Sequence, residues 1–344
     1  MIKSIEKYNF DRTLKYFDSY ANNLDGSRIL ISGATGFIGS WISEMLSQIT
    51  REFGLKFEVI LLTRNSLKLG KTMGSEINKN FSIEEINIAR EYRPLGEVSH
   101  IIHAATPTYP TSEVDVNVEE VSLNGAINLL KSINLKNHKP VFIHLSSGAV
   151  YGHNSILQGS LDLRTELNYP SNILNFANKY SVAKIKTESF VDELTNRGII
   201  YGCNPRLFAF FGPLLALDEK YAIGNFMKFA INSENIRLKT RGESVRSYLH
   251  VSHCASQLIY LLSQPILGAS HIGSSFARPL KWWANFIGNL FDLGPIIMGE
   301  EMENPSFYAP KTDIRFPSLD LDESERIIEF KYWFDWLKDR KQTH

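Results

Sequence analysis

Apolar residues recur at helical spacing through residues 4–24 (Ile5, Tyr8, Leu14, Phe17, Tyr20), which predicts one or two short helices ended by the turn pair Asp25-Gly26. The pattern then changes. Residues 28–32 are a short apolar run closed by glycine, as a buried parallel strand should be, and 37–49 returns to a helical period. Further strand-like runs lie at 57–62, 99–103, 140–145 and 199–204, with helical patterns at 116–133 and 178–197 among them. Strand alternating with helix calls for right-handed crossovers and a doubly wound parallel sheet covered on both faces. After Pro205 the alternation loosens, prolines and glycines cluster (Gly212-Pro213, Gly294-Pro295, Pro305, Pro310, Pro317), and aromatic residues become frequent. The expected organisation is a helical extension over 1–26, a main α/β domain over 27–204 rejoined by about 249–272, and a smaller C-terminal α/β lobe drawn mainly from 205–344.

The chain of 344 residues has 37 basic and 37 acidic side chains, so it offers no electrostatic footprint for nucleic acid or anionic lipid. Its two cysteines, Cys203 and Cys254, exclude a disulfide framework and point to a reducing compartment. No apolar run approaches the roughly 18 residues needed to span a bilayer, and the N-terminus lacks a signal-peptide core. A soluble cytoplasmic protein is expected, with no nucleic-acid or membrane partner.

The first strand runs directly into Gly33-Ala34-Thr35-Gly36-Phe37-Ile38-Gly39, where a helix opens. Amides at a helix N-terminus are unpaired and carry positive partial charge, so a pyrophosphate can sit on them. Glycines there allow the tight turn and close approach of the phosphate. The spacing differs from Gly-x-Gly-x-x-Gly by one residue, but its place between buried strand and helix predicts a Rossmann-like dinucleotide site. The second strand ends Leu62-Thr63-Arg64-Asn65 without the acidic residue that usually receives the NAD ribose. Arg64 could fork to a 2′-phosphate, so NADP is favoured, with NAD possible. The alternative is that Arg64 stacks on adenine or is solvated.

Tyr180-Ser-Val-Ala-Lys184 opens a predicted helix, and the spacing of four puts phenol and ammonium on one face. A neighbouring ammonium favours the phenolate, which suits proton transfer. Upstream, His144-Leu-Ser146-Ser147-Gly148 ends a predicted strand, where a serine hydroxyl can donate to a substrate oxygen. His250, His253, Cys254 and Cys203 lack the paired spacing of a zinc site, so no metal is expected. The Trp282-Trp283 pair and the tail from Trp333 to Trp336 read as core packing.

In these motifs the chain resembles the extended short-chain dehydrogenase/reductase family, in its nucleotide-sugar epimerase/dehydratase branch. The matches run in order from residue 29 to about 330: the glycine motif, His103-Ala104-Ala105-Thr106, Asn124-Gly-Ala-Ile-Asn-Leu-Leu130, Ser146-Ser147-Gly-Ala-Val-Tyr-Gly152, Tyr180 with Lys184, the Arg206 to Pro213 segment, and Arg246-Ser-Tyr-Leu-His-Val251. The resemblance implies Tyr180 as general acid/base, Lys184 as holder of the nicotinamide ribose, and Ser147 rather than Ser146 as polariser of the substrate oxygen. It places Asn124 as support for the lysine, Asn87 and Ile88 at the adenine, and Arg246 at the substrate diphosphate, against the alternative of a structural ion pair. It further implies a nucleotide-diphosphate sugar as partner and a homodimer through helices 116–133 and 178–197.

Departures from the family pattern choose among its reactions. Its 4,6-dehydratases carry an Asp-Glu pair at the positions of Gly148 and Ala149, and its decarboxylases a glutamate at that of Ala149. Neither residue here titrates, so both reactions are disfavoured. Ala209 also replaces a common substrate-contacting asparagine. What remains is hydride chemistry at a carbinol or ketone carbon. NADPH reduction of a 4-keto(-6-deoxy) hexose is favoured by Arg64, with an NAD-dependent 4-epimerase as the alternative, favoured by the Ser-Gly-Ala segment. A dinucleotide-binding regulator without turnover is the reading from another class. Sugar preference is expected to rest on the loop 153–176 and the C-terminal lobe.

Overall fold

The computed structural model describes residues 20–67, 79–108, 117–136, 138–152, 159–172, 175–302, 304–317 and 321–341. The helical pattern expected at 4–24 lies outside them up to residue 19, and Ala21–Leu24 is a single 3₁₀ turn. Strands β1 (Arg28–Ser32), β2 (Glu58–Thr63), β3 (Phe81–Glu85), β4 (His100–His103), β5 (Val141–His144), β7 (Tyr201–Leu207) and β10 (Gly268–Ile272) form one parallel sheet in the order β10-β7-β5-β4-β1-β2-β3, with the short β6 (Ser146–Ser147) beside β7. The order reverses between β1 and β4, which opens a crevice at the carboxyl ends of these strands.

Both faces of the sheet are covered, and the alternation of side chains along each strand shows it. Ile29, Ile31, Val59, Leu61 and Ile102 join one core with helix α1 (Phe37–Phe53) and helix α5 (Val251–Ser263). Leu30, Ile60, Leu62 and Ile101 point the other way, to helix α2 (Gly125–Lys131) and Val191 of helix α3 (Phe176–Asn196). Continuous apolar runs are therefore what a sheet buried on both sides requires.

The helix expected over 116–133 is interrupted. Residue 116 lies outside the described residues, and a π-turn at Glu120–Asn124 precedes α2. The Ser122 carbonyl accepts from His103 Nε2 at 2.8 Å, so His103 Nδ1 accepts from Ser32 Oγ at 2.8 Å. The same carbonyl also accepts from Gly125 N–H, so a tertiary donor joins the end of the π-turn, and π-turns mark such sites.

The remaining chain builds the second lobe around a four-stranded sheet. Strand β9 (Val245–His250) is its centre, with β8 (Ala209–Phe211) and β12 (Phe307–Tyr308) parallel to it and β11 (Ala277–Pro279) antiparallel. Helices α4 (Ala222–Asn232), α6 (Leu280–Leu290) and α7 (Glu323–Lys341) enclose an aromatic core. Phe211 stacks on Phe330 at 4.1 Å, and Trp283 and Trp333 are fully buried beside them, as the core reading of these tryptophans expected. Between β9 and β10 the chain rejoins the large sheet through α5. Among the described residues no helix is long and apolar enough to cross a membrane.

Candidate active site

The glycine motif forms the turn between β1 and α1. Gly33 has φ +74°, and a Cβ there would lie 2.7 Å from the backbone of Ala104; at Gly39 a Cβ would collide with the Gly33 carbonyl. Gly36 is the N-cap of α1, and no side chain caps it, so the first-turn amides of Phe37, Ile38 and Gly39 are left to a ligand. The turn borders a groove with about 730 Å³ of empty space at the carboxyl ends of β1, β2 and β4. Its walls include Gly33, Thr35 and Gly36, then Arg64, then Asn87 and Ile88, then Ala104, Ala105 and Thr106. This shape, with bare helix amides at one end, fits a dinucleotide. Gly33→Ala combines left-handed strain of about 1–3 kcal/mol with a backbone clash, so dinucleotide affinity is expected to fall about tenfold or more. A fluorescence titration with NADH and NADPH checks this, and unchanged affinity would show that the turn does not hold the ligand.

The asparagines expected at the cofactor have other partners or none among the described bonds. Asn65 is exposed and spends its side-chain oxygen on Leu67 N, 3.0 Å away. Asn87 turns its oxygen to Ala89 N at 3.2 Å. Asn124, expected to support the lysine, is exposed, and no hydrogen bond joins it to Lys184 among the described residues. The π-turn ends at Asn124 and buries Ser122, whose hydroxyl pairs with Thr187 at 2.9 Å. Asn128, one turn on, donates to the Ile88 carbonyl at 2.8 Å and fixes the groove wall.

The residues expected to carry proton transfer lie together across the crevice. The Asn175 side chain caps α3 by accepting from Asn178 N at 2.8 Å, and the first turns of the helix carry Tyr180 and Lys184 inward. Lys184 Nζ donates to Thr106 Oγ1 at 2.9 Å and to the Leu145 carbonyl at 2.5 Å, and lies 5.6 Å from the Tyr180 ring centre. Burial pushes its ammonium down to about 7, opposed by the carboxylate of Glu188. Burial also pushes the Tyr180 phenol up, and a hydrogen bond from Ser147 works against that shift. Beneath the lysine, burial holds His103 at about 3 and His144 well below its ordinary value, so both are neutral and add no charge to the site.

Ser147 closes β6, and its oxygen accepts from Ala149 N at 3.1 Å. Ser146 is committed elsewhere: its hydroxyl donates to Glu188 at 2.5 Å. Glu188 in turn holds Arg206 through two bonds of 3.0 and 2.7 Å. Arg246, on β9, is half-buried, donates to the carbonyls of Val245 and Ser306 at 2.8 and 3.1 Å, and forms no ion pair among the described residues. Ala209 is half-buried on β8 beside Tyr248. Of the metal-capable cluster, His250 bonds Ser252 and His253 bonds Glu329, while both cysteines are buried in the core.

Three participants went unnoticed in the sequence. Phe208 packs against Gly148, where a Cβ would lie 2.7 Å from its ring. Tyr308 reaches Ser147, and Tyr221 stands near Tyr180 with its hydroxyl 3.2 Å from Thr108. Residues 153–158 and 173–174 of the loop expected to set sugar preference lie outside the described residues.

Residues 29–286 match the model of the NAD dependent epimerase/dehydratase family, a span that contains the groove, Ser147, Tyr180, Lys184 and Arg246. The chain belongs to that family. Members similar to it include UDP-glucuronic acid decarboxylase 1 of Xenopus tropicalis, 23% identical over 87% of this chain and 69% of its own. UDP-glucuronic acid decarboxylase 6 of Arabidopsis thaliana is 26% identical over 76% of this chain and 72% of its own. Among solved structures, the UDP-N-acetylglucosamine 4-epimerase of Methanobrevibacter ruminantium M1 superposes with a TM-score of 0.76 at 17% identity, covering 92% of this chain and 99% of that one. The dTDP-glucose 4,6-dehydratase DesIV of Streptomyces venezuelae, solved with NAD, gives 0.71 at 17% identity over 92% and 98%. The epimerase/dehydratase fold is thus shared over 92% of this chain.

Proposed function

We propose that this family member is an oxidoreductase of nucleotide-linked sugars, acting at a carbinol or ketone carbon and favouring reduction of a 4-keto-hexose with NADPH. The observation that carries the reading is a site with Ser147, Tyr180 and Lys184 together, followed by Gly148 and Ala149, which carry no carboxyl group. Elimination or decarboxylation assisted by a carboxylate needs such a group at Gly148 or Ala149, and the Phe208 ring fills the space a side chain at Gly148 would take.

A nicotinamide dinucleotide held in the groove would supply the hydride. The chain supplies the proton and the geometry. Tyr180, held protonated by burial, can donate to the ketone oxygen, which is the direction reduction requires. Ser147 donates a second hydrogen bond to that oxygen as negative charge builds on it. The Lys184 ammonium, fixed by Thr106 and Leu145, stabilises the same charge and can hold the ribose. Arg246 offers a guanidinium fork to a diphosphate. The exposed Arg64 borders the groove where a 2′-phosphate would lie, which supports NADPH.

A 4-epimerase with resident NAD is the second reading, favoured by the Ser146-Ser147-Gly148-Ala149 segment and by a family whose model is NAD-dependent. Denaturing freshly purified protein and identifying any released dinucleotide separates the two. Protein free of nucleotide that binds NADPH better than NADH supports the reductase. Retained NAD overturns it.

Lys184 also sets a pH dependence. Its group is charged below about 7 and neutral above, so the rate of ketone reduction is expected to be highest at or below neutrality and to fall as pH rises through about 7. A rate rising across that window would show that the lysine charge does not assist the step.

A further inference from the structure

Ser147 has one proton to give and two lone pairs to fill, and where that proton points decides whether the residue can serve a substrate oxygen. Ala149 N–H fills one lone pair, as the N-cap bond of the Gly148–Tyr151 turn. The Tyr308 hydroxyl lies 3.4 Å from Ser147 Oγ and donates to the Leu207 carbonyl at 3.3 Å. Both distances are long, so neither partner holds the phenol proton firmly. Tyr308 is brought there by the two-residue strand β12, which pairs with β9 so that Tyr308 lies opposite Arg246. Its ring packs on Phe208 at 5.0 Å and faces the Arg246 guanidinium at 5.9 Å. The ring is thus held in place while its proton has two acceptors.

We propose that Tyr308 is a positioning residue for the catalytic serine: when a substrate oxygen enters, the Tyr308 proton turns from the Leu207 carbonyl to Ser147 Oγ. With both lone pairs of Ser147 then filled, by Ala149 N–H and by Tyr308 O–H, the serine can only donate, and its proton turns from the Tyr180 oxygen to the substrate oxygen that Tyr180 also serves. Donors in series polarise one another, so the serine becomes a stronger donor as charge develops on that oxygen. No bond is made or broken in this step; a hydrogen bond changes acceptor. The inference rests on the assignment of Ser147 and Tyr180 made above.

The test uses Tyr308→Phe, which keeps the ring and its packing and removes only the hydroxyl. With a dTDP-linked 4-keto-6-deoxyglucose and NADPH as probes, kcat is expected to fall about tenfold, with KM within about twofold, as for loss of an indirect donor. In a Ser147→Ala background the same change is expected to have no further effect, because the residue acts through the serine. A kcat within twofold of wild type in Tyr308→Phe, or an equal loss in both backgrounds, overturns the inference. A crystal structure with UDP-glucose reads the switch without turnover: the Tyr308 to Ser147 distance should contract to about 2.8 Å. Tyr308 still bonded to Leu207 in that complex would overturn the inference as well. Tyr180→Phe separates the layers. If it abolishes the rate while Tyr308→Phe changes nothing, this inference alone fails; if Tyr180→Phe keeps the rate, the reading of the site fails and this inference with it.

Discussion

Replacing Tyr180 with phenylalanine is expected to lower the rate of ketosugar reduction by about 10²–10⁴-fold, the contribution of a positioned general acid, and to leave dinucleotide affinity nearly unchanged. The substitution is clean because the ring has work apart from its oxygen. It stacks on Phe176 at 6.4 Å and lies beside Lys184, and a phenylalanine ring preserves both contacts. Lys184 stays where it is, since Thr106 and Leu145 hold its nitrogen. Ser147 keeps the Ala149 amide and the Tyr308 hydroxyl. Fold and groove should therefore survive, and an unchanged melting temperature with normal NADPH binding is the control that turns the kinetic loss into a statement about proton transfer. The opposite result is equally clear. A variant that reduces the ketone as fast as wild type would remove Tyr180 from the chemistry, and one whose cellular role persists without turnover would mark a dinucleotide-binding scaffold.

How far such a site can be read in advance depends on how its residues are joined. The turn from Gly33 to Gly39 was legible because a strand, a tight turn and a helix are contiguous, and the glycines answer a backbone demand visible in the spacing itself. Tyr180 and Lys184 were legible for the same reason, being one turn apart on a helix. The large sheet followed from runs buried on both faces, yet β3 escaped notice because it is an edge strand with only Phe81 buried. The π-turn before α2 shows in no local spacing, and the His103 ring that bonds its Ser122 carbonyl comes from nineteen positions upstream. Tyr308 stands 161 positions from Ser147 on a two-residue strand too short for any periodicity, and Phe208 reaches Gly148 only through the folded core. Glu188 lies four residues after Lys184, on the same helix face, and that spacing could have drawn attention to it.

Glu188 carries the largest expected effect on stability. Its carboxylate and the Arg206 guanidinium are paired in a bidentate fork with side-chain exposures of 4% and 6%, so each charge depends on the other. Burial would push the arginine down, but the bonds it donates to the Glu188 carboxylate outweigh that and hold the group above its usual value. From this fork the hydrogen bonds continue to the segment that carries Ser147: Ser146 donates to Glu188, Arg206 donates to the Tyr151 hydroxyl at 2.8 Å, and that hydroxyl lies 2.6 Å from His271 Nε2. Because Arg206 can only donate to Tyr151, the phenol proton goes to His271, which is consistent with a histidine that burial keeps neutral at about 4. Glu188→Gln keeps the volume and removes the charge, leaving a guanidinium buried without its counterion, and is expected to cost about 3–5 kcal/mol in urea unfolding. The paired variant Glu188→Leu with Arg206→Met removes both charges and should recover most of that loss, since an apolar pair escapes the desolvation penalty. A single variant within about 1 kcal/mol of wild type, the worth of an exposed pair, would show that the fork is not needed for folding. The kinetic consequence distinguishes this residue from an ordinary core contact. Glu188 raises the Lys184 pKa against burial, so in any Glu188→Gln protein that still folds, the fall in reductive rate with rising pH should move to below about 7. A limb that stays in place would mean that Glu188 serves the fold and leaves the lysine untouched.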